Sequence, residues 1–247
     1  MDRLIHTALA SLRGAMARQT VTANNLANVA TPGFRAEIAS AQAMWINGPG
    51  YTSRAPASLG VVGADMHAGT ISETARDLDI AIVGDALLAV QDQDGNEAYT
   101  RRGDLQITDS GLLTTGDGHP VLGEQGPITL PPADRMRIDS DGSIWVVPRG
   151  GDPEAPQRVD RLKLASATGS TIRKGIDTLF HVPDDGALPA DPDAHVSTGH
   201  LEQSNVNATQ ALVAMIEASR GYETQMRLIS TAQTLDQAGA DLMRLPE

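Results

Sequence analysis

Apolar and polar positions fall into three regimes along the chain. Near the N-terminus, apolar or small residues recur at Leu9, Leu12, Met16, Ala23 and Leu26, with a parallel row through Ile5, Ala8, Leu12 and Ala15. Alternating steps of three and four put such residues on one helical face. The spacing predicts a helix over roughly residues 3–30. Asp2 offers a capping carboxylate, and the helix ends in Val29-Ala30-Thr31-Pro32-Gly33 because Pro32 drives Thr31 out of helical backbone. Over residues 35–75 the period is lost, and Asn47-Gly48-Pro49-Gly50 and Ala55-Pro56 read as an extended connector with at most short strands and no core of its own.

From Leu78 to Phe180 the pattern changes to short β-type runs: Leu78–Val83, Leu87–Val90, Leu105–Ile107, Ile128–Leu130, Ile144–Val147 and Leu162–Ala165. Between them stand Asp94-Gly95, Ser110-Gly111, Asp117-Gly118 and Asp141-Gly142, whose glycines accept the positive φ of tight hairpins. A Pro/Asp-rich stretch, Pro183-Asp184-Asp185-Gly186 to Pro192-Asp193, reads as a solvated linker. The helical period then returns. Asn207 is a suitable cap with Gln210 three residues on, and the stripe runs Leu212, Met215, Ser219, Tyr222, Met226, Ile229, then drifts to Leu228, Ala232, Leu235, Gly239 and Leu242. The expected organisation is α+β: helix 1–34, connector 35–75, all-β domain 76–182, linker and return segment 183–207, and helix 208–247.

A helix with a narrow apolar stripe gains little alone in water, because its stability comes from burying that stripe. The two terminal stripes therefore need partners. They can pair with each other, yet one pair buries only one seam. Flanking small residues, including Ala10, Ser11, Ala15, Ala17, Ala214, Ala218 and Ser219, permit close approach of further helices. An interface of this kind that does not close on itself produces a filament or tube. Periodicity alone leaves open the other arrangement, in which both helices cover the β domain of a monomer.

Composition narrows the classes. Thirty-one acidic against 19 basic residues give a formal charge of −12, and the cations at Arg101-Arg102 and Arg158–Lys163 form no long run. Nucleic acid and direct membrane insertion are therefore not expected. Aromatics make up only 3 %, so any core must come from aliphatic residues. The absence of cysteine excludes disulfides and thiolate chemistry. The opening Met1-Asp2-Arg3-Leu4-Ile5-His6 has neither the apolar run nor the cleavage pattern of a signal peptide, so export without a cleaved signal, or none, is expected.

Ala23-Asn24-Asn25-Leu26-Ala27-Asn28-Val29-Ala30-Thr31-Pro32-Gly33-Phe34 resembles the N-terminal signature of the bacterial flagellar basal-body rod and hook proteins. Gly199-His200-Leu201-Glu202-Gln203-Ser204-Asn205-Val206-Asn207, followed by Met215-Ile216-Glu217, Arg220 and Tyr222-Glu223, resembles the C-terminal counterpart. Between them Leu78–Gly84, Tyr99-Thr100-Arg101-Arg102-Gly103 and Asp109–Thr114 resemble β-domain motifs in the same order. Met1-Asp2-Arg3-Leu4-Ile5 and a length of 247 are most similar to the proximal-rod members adjoining the distal rod, with distal-rod or hook subunits as the alternative.

The resemblance implies a non-catalytic axial subunit that assembles with copies of itself and other rod subunits, its terminal helices forming an inter-subunit coiled-coil layer around which the β domain is inserted. It further implies passage through the flagellar type III export apparatus and a place in the rod within the periplasm. Stripe and signature together nominate an assembly interface. At the N-terminal end it comprises Leu9, Leu12, Met16, Asn24, Asn25, Leu26, Asn28 and Phe34. At the other end it comprises the return-segment residues Leu201, Glu202, Ser204, Asn205, Val206 and Asn207, and the helical residues Leu212, Met215, Ile216, Arg220, Tyr222, Glu223, Met226 and Ile229. The amides of Asn24, Asn25 and Asn28 are expected to fix register between neighbours, since a buried amide needs partners. Alone, the same residues read as helix-fraying. Two departures from the family pattern stand out: Ala86-Leu87-Leu88 and Leu105 replace aromatics, and Gly221 interrupts the Arg-x-Tyr-Glu segment.

No catalytic residue, cofactor or metal site is nominated. Asp92–Asn96 and Asp139–Ser143 resemble calcium loops but lack the glycine and distal carboxylate such loops need, and hairpin turns explain them. His195 and His200 have no third ligand at metal spacing. Phosphate-binding glycine loops and nucleophile elbows are absent. Asn207-Ala208-Thr209 fits a glycosylation sequon, yet capping is its simpler use. The competing classes are a periplasmic glycan-acting hydrolase with carboxylates on the β domain and a secreted monomeric adhesin.

Overall fold

A computed structural model describes residues 2–43 and 57–242, with side-chain surroundings for 9–38, 63–184 and 186–240. The expected breaks at Asn47–Gly50 and Ala55-Pro56 lie outside the described residues. The chain divides into two compact units: Met1–Ala27, Glu37–Gly63 and Val206–Glu247 form the first, Asn28–Ala36 and Ala64–Asn205 the second.

The first unit is built on α1 (Asp2–Ala27), the paired strands β1 (Glu37–Ala43) and β2 (Ala57–Ala64), and α2 (Ala208–Leu242). Asn207 caps α2 as its sequence suggests, its Oδ1 accepting the Gln210 N–H at 3.1 Å. α1 ends at Ala27, three residues before the expected boundary at 30. A turn takes over there, in which Thr31 N–H donates to Asn28 O at 3.2 Å and Thr31 Oγ1 to Asn28 Oδ1 at 3.1 Å.

α1 packs against α2 and β1. Along α2 the half-buried positions include Met215, Ala218, Tyr222, Gln225, Ile229, Ala232, Asp236 and Gly239, alternating steps of three and four. That is heptad spacing, the seam of a helix pair. Its alanines and glycine let the partner backbone come close. α1 contributes buried Gly14, Ala15 and Val21.

The second unit contains β3 (Ile71–Glu73), β4 (Ile80–Ile82), β5 (Ala86–Gln91), β6 (Glu97–Thr100), β7 (Leu105–Ile107), β8 (Leu113–Thr115) and β9 (Ala133–Ile138). It continues with β10 (Ser143–Pro148), β11 (Gln157–Arg161), β12 (Leu164–Ser166), β13 (Arg173–Lys174), β14 (Phe180–His181), β15 (Val196–Thr198) and β16 (His200–Glu202). A five-stranded sheet runs β12-β5-β6-β14-β13, a three-stranded one β11-β10-β9, and two-stranded ribbons pair β15 with β4, β16 with β3 and β7 with β8.

β5 explains why Leu87–Val90 reads as an unbroken apolar run. Ala86, Leu88 and Val90 face one cluster, with Ile80, Leu105, Leu113, Ile144 and Leu164, while Leu87 and Ala89 face another, with Tyr99, Phe180 and Leu188. A strand buried on both faces loses the alternation of a half-exposed one. The glycines of the four expected turns, Gly95, Gly111, Gly118 and Gly142, have φ between 83° and 91°.

Two readings are corrected. The Ile128–Leu130 run is not a sheet strand; it makes the isolated bridge Leu112↔Thr129, although Ile128 and Leu130 are buried. The stretch 183–193 is a solvated linker only in part: most of its described residues are exposed, but Leu188 joins one cluster, and Ala194 and Val196 beyond it join the other. Averaged polarity hides three apolar contacts spaced along an extended chain.

Candidate functional site

The residues nominated for assembly fall into two sets, one in each unit. In the first, the helix pair leaves an apolar surface outside its seam. Met16 on α1 and Leu212, Val213, Ile216, Met226, Leu228 and Leu235 on α2 are 44–58 % exposed, and Leu9 is exposed as well. The sequence stripe therefore merged two faces. Met215, Tyr222 and Ile229 belong to the seam, whereas Leu212, Ile216 and Met226 do not. Leu12 and Leu26 are half-buried, and Arg220 and Glu223 are exposed beside the apolar surface.

The asparagines of the N-terminal signature are engaged within the chain. Asn25 Nδ2 donates to Glu37 O at 3.0 Å, and Glu37 N–H returns a bond to Asn25 Oδ1 at 2.8 Å. Asn24 Nδ2 donates to the Glu37 carboxylate at 2.6 Å. An amide matches a peptide group in donor and acceptor, so Asn25 ties the end of α1 to the start of β1 as a strand neighbour would. With Asn28 in its turn, these side chains are bonded within one chain.

In the second unit both signatures meet on Glu202. Arg101 donates to Glu202 Oε2 through Nε at 2.9 Å and Nη2 at 2.6 Å, and Arg35 Nη2 lies 2.7 Å from Oε1. Gly69 N–H donates to Oε1 at 2.8 Å, and Gly33 N–H to the Glu202 backbone O at 2.7 Å. The three charged side chains are at most 3 % exposed. Arg101 spends its other donors on the carbonyls of Ile82 at 2.8 Å and Gly84 and Ala86 at 2.7 Å, and Arg35 donates to His67 O. Burial pulls the Arg35 guanidinium below its ordinary value, and Glu202 works against that shift.

Around this hub the backbones interlock. Asn205 Oδ1 accepts from Ala36 N at 2.7 Å, Asn205 Nδ2 donates to Asp65 O at 2.8 Å, and Asn205 N donates to Phe34 O at 3.2 Å. Phe34 is buried under Lys174, whose Nζ lies 3.3 Å from the ring centroid and donates to Arg35 O at 2.7 Å. Leu201 is buried, and Ser204 and Val206 are half-buried. Phe34, Leu201 and Glu202 are thus buried, and Asn205 half-buried, where the chain closes on itself. Sequence reasoning missed Arg35, Arg101 and Glu37 as their partners. The available signal was charge within a signature: Arg and Glu are almost never buried unless paired.

Among the described residues no group of three His, Asp or Glu is placed to hold a metal ion, and no helix is long and apolar enough to cross a membrane. The aspartates of the calcium-like loops bond to their own turns, Asp92 Oδ1 accepting from Asp94 N at 2.9 Å and Asn96 N at 2.8 Å, and Asp141 Oδ1 from Ser143 N at 2.9 Å.

Comparison with known proteins agrees with this layout. Residues 7–35 match the family described as flagella basal body rod protein, 81–146 the flagellar hook protein FlgE/F/G D1 domain, and 197–242 the flagellar basal body rod FlgEFG protein C-terminal. The chain is 41 % identical to the flagellar basal-body rod protein FlgF of Escherichia coli, over 97 % of this chain and 96 % of the relative. It is 39 % identical to FlgF of Salmonella typhimurium over 94 % of each, and 28 % identical to the rod protein FlgG of Bacillus subtilis over 99 % and 100 %. The chain belongs to the flagellar basal-body rod protein family and is a structural subunit of that rod, not an enzyme.

Proposed function

We propose that the chain enters the rod by burying the exposed apolar face of its α1–α2 pair against copies of itself and related rod subunits, forming an inter-subunit coiled-coil layer that carries torque. One observation carries this reading. Met215, Tyr222 and Ile229 are half-buried in the seam between α1 and α2, yet Leu212, Ile216, Leu228 and Leu235 remain about half exposed beside it. At about 25 cal/mol per Å², covering such a stripe is the main source of free energy the helices have left. Phe34, Leu201, Glu202 and Asn205 are assigned to holding the junction of the two signatures, and Leu9, Met16, Leu212, Ile216 and Met226 to the contact between subunits.

The reading extends to a periplasmic place in the proximal rod adjoining the distal rod, reached through the type III export apparatus. The 41 % and 39 % identity to FlgF of Escherichia coli and Salmonella typhimurium, against 28 % to FlgG of Bacillus subtilis, and the opening Met1–Ile5 support the proximal position. The test is deletion of residues 2–27 or 208–247, leaving Asn28–Ala36, which belongs to the second unit. The expected result is a protease-resistant second unit and no rods. Normal rods from either truncation would overturn the reading.

A further inference from the structure

Gly33–Ala36 lies in the second unit outside any strand, and residues far along the chain hold it there. Gly33 N–H donates to Glu202 O at 2.7 Å, Asn205 N–H donates to Phe34 O at 3.2 Å, and Ala36 N–H donates to Asn205 Oδ1 at 2.7 Å. Lys174 Nζ donates to Arg35 O at 2.7 Å while lying over the Phe34 ring. Gly33 sits so close to the Arg101 backbone that a Cβ would lie 2.3 Å from it. The segment is a strap, seated by partners that its own sequence does not supply.

Its seat has a built-in weakness. Phe34 is the only large apolar side chain in Gly33–Ala36. Arg35 is 2 % exposed, and its Nε is buried without a hydrogen-bond partner among the described residues. A buried donor left unpaired carries the full cost of leaving water. Arg101, in contrast, uses Nε, Nη1 and Nη2, and none of those bonds goes to the strap. The strap can therefore open locally while the Arg101–Glu202 pair stays closed.

The chain enters this strap from α1 and leaves the second unit for α2 after Asn205. While Gly33 is bonded to Glu202, only residues 28–32 and 203–207 separate that bond from the two helices. With the strap open, the α1 side is next held where Ala64 enters the second unit, and the free run grows about fourfold. The probability of closing a loop falls as about the three-halves power of its length, so opening weakens the pairing of α1 with α2 by up to about eightfold. We infer that Gly33–Ala36 is a conformational strap whose seating sets how readily α1 pairs with α2, and thereby whether the apolar face of the helix pair is formed. The inference rests on the rod reading for the use of that face, but the pairing is measured in the isolated chain, apart from rods.

Ala36 and Asn205 are adjacent and the chain has no cysteine, so Ala36→Cys/Asn205→Cys places a single disulfide across the strap. Adding Phe34→Ala gives a chain whose strap is released when reduced and pinned when oxidised. Amide hydrogen exchange of the purified full chain reads the outcome. The α1 and α2 amides should be as slow in the oxidised form as in the original chain and up to about eightfold faster in the reduced form, with β5 and β6 amides unchanged. Equal exchange of the helices in both forms, unprotected helices in the original chain, or an equal acceleration of β5 and β6 would each overturn the strap, while helix-driven rod assembly keeps its own test by truncation. Failure of the disulfide to form with Phe34 intact would overturn it as well, because the strap would then not be seated against Asn205.

Discussion

Arg101 grips Glu202 through two donors, Nε at 2.9 Å and Nη2 at 2.6 Å, across a separation of 101 residues. With Arg35 on the other carboxylate oxygen, one buried anion serves two buried cations. Removing it leaves both buried guanidiniums uncompensated. Glu202→Ala is expected to destabilise the second unit by about 3–5 kcal/mol, the usual cost of breaking a buried pair. Urea unfolding of the purified chain measures this, and a loss below about 1 kcal/mol would show that the hub does not hold the signatures together.

Two glycines should respond in opposite directions to alanine. Gly33 has φ 67°, and a Cβ there would lie 2.3 Å from the Arg101 backbone, so Gly33→Ala should cost roughly 3 kcal/mol. Gly221 lies on the exposed side of α2 with nothing within 4 Å of a built Cβ. Gly221→Ala should stabilise that helix by about 1 kcal/mol. Thermal unfolding followed by circular dichroism distinguishes the two.

Tyr99 supplies a pH dependence. Its hydroxyl donates to Glu97 Oε1 at 2.6 Å and accepts from Leu188 N at 2.6 Å, and burial, reinforced by the Glu97 hydrogen bond, pushes its pKa well above 10.0. The folded state therefore keeps a proton that the unfolded chain releases. The stabilisation is fully present below the ordinary tyrosine value and declines as pH rises from about 10 toward the raised folded value. Tyr99→Phe should flatten this alkaline decline and cost about 1–2 kcal/mol at neutral pH through the Leu188 N–H left without its acceptor. An unchanged alkaline slope in that variant would contradict the assignment.

Features that depend on neighbours in sequence were legible in it. The helical periods gave α1 and α2, Asn207 gave a cap, and glycines such as Gly95 and Gly142 gave hairpins, because each is decided within a few residues. β15 and β16 escaped notice because their stability comes from pairing with β4 and β3 more than 100 positions earlier, not from their own composition. β9 and β11 escaped because arginines and aspartates obscure their alternation. The residues proposed for assembly show the same limit. Periodicity found a stripe on α2 but could not separate Met215, which faces the seam, from Leu212, which faces outward. Glu202 stood in a recognised signature, yet nothing in the sequence paired it with Arg101.

The outward stripe carries the central claim, and it can be changed without disturbing the seam. Gln is nearly as good a helix former as Leu, so Leu212→Gln, Ile216→Gln, Leu228→Gln and Leu235→Gln, made together, remove apolar surface while keeping the helix. Each site is exposed, so the stability of the isolated chain should change by no more than about 0.5 kcal/mol per substitution. The most direct measurement is electron microscopy of basal bodies from cells carrying this chain in place of the original. A folded, expressed subunit and no completed rod are expected. Rods of normal length and frequency would contradict it.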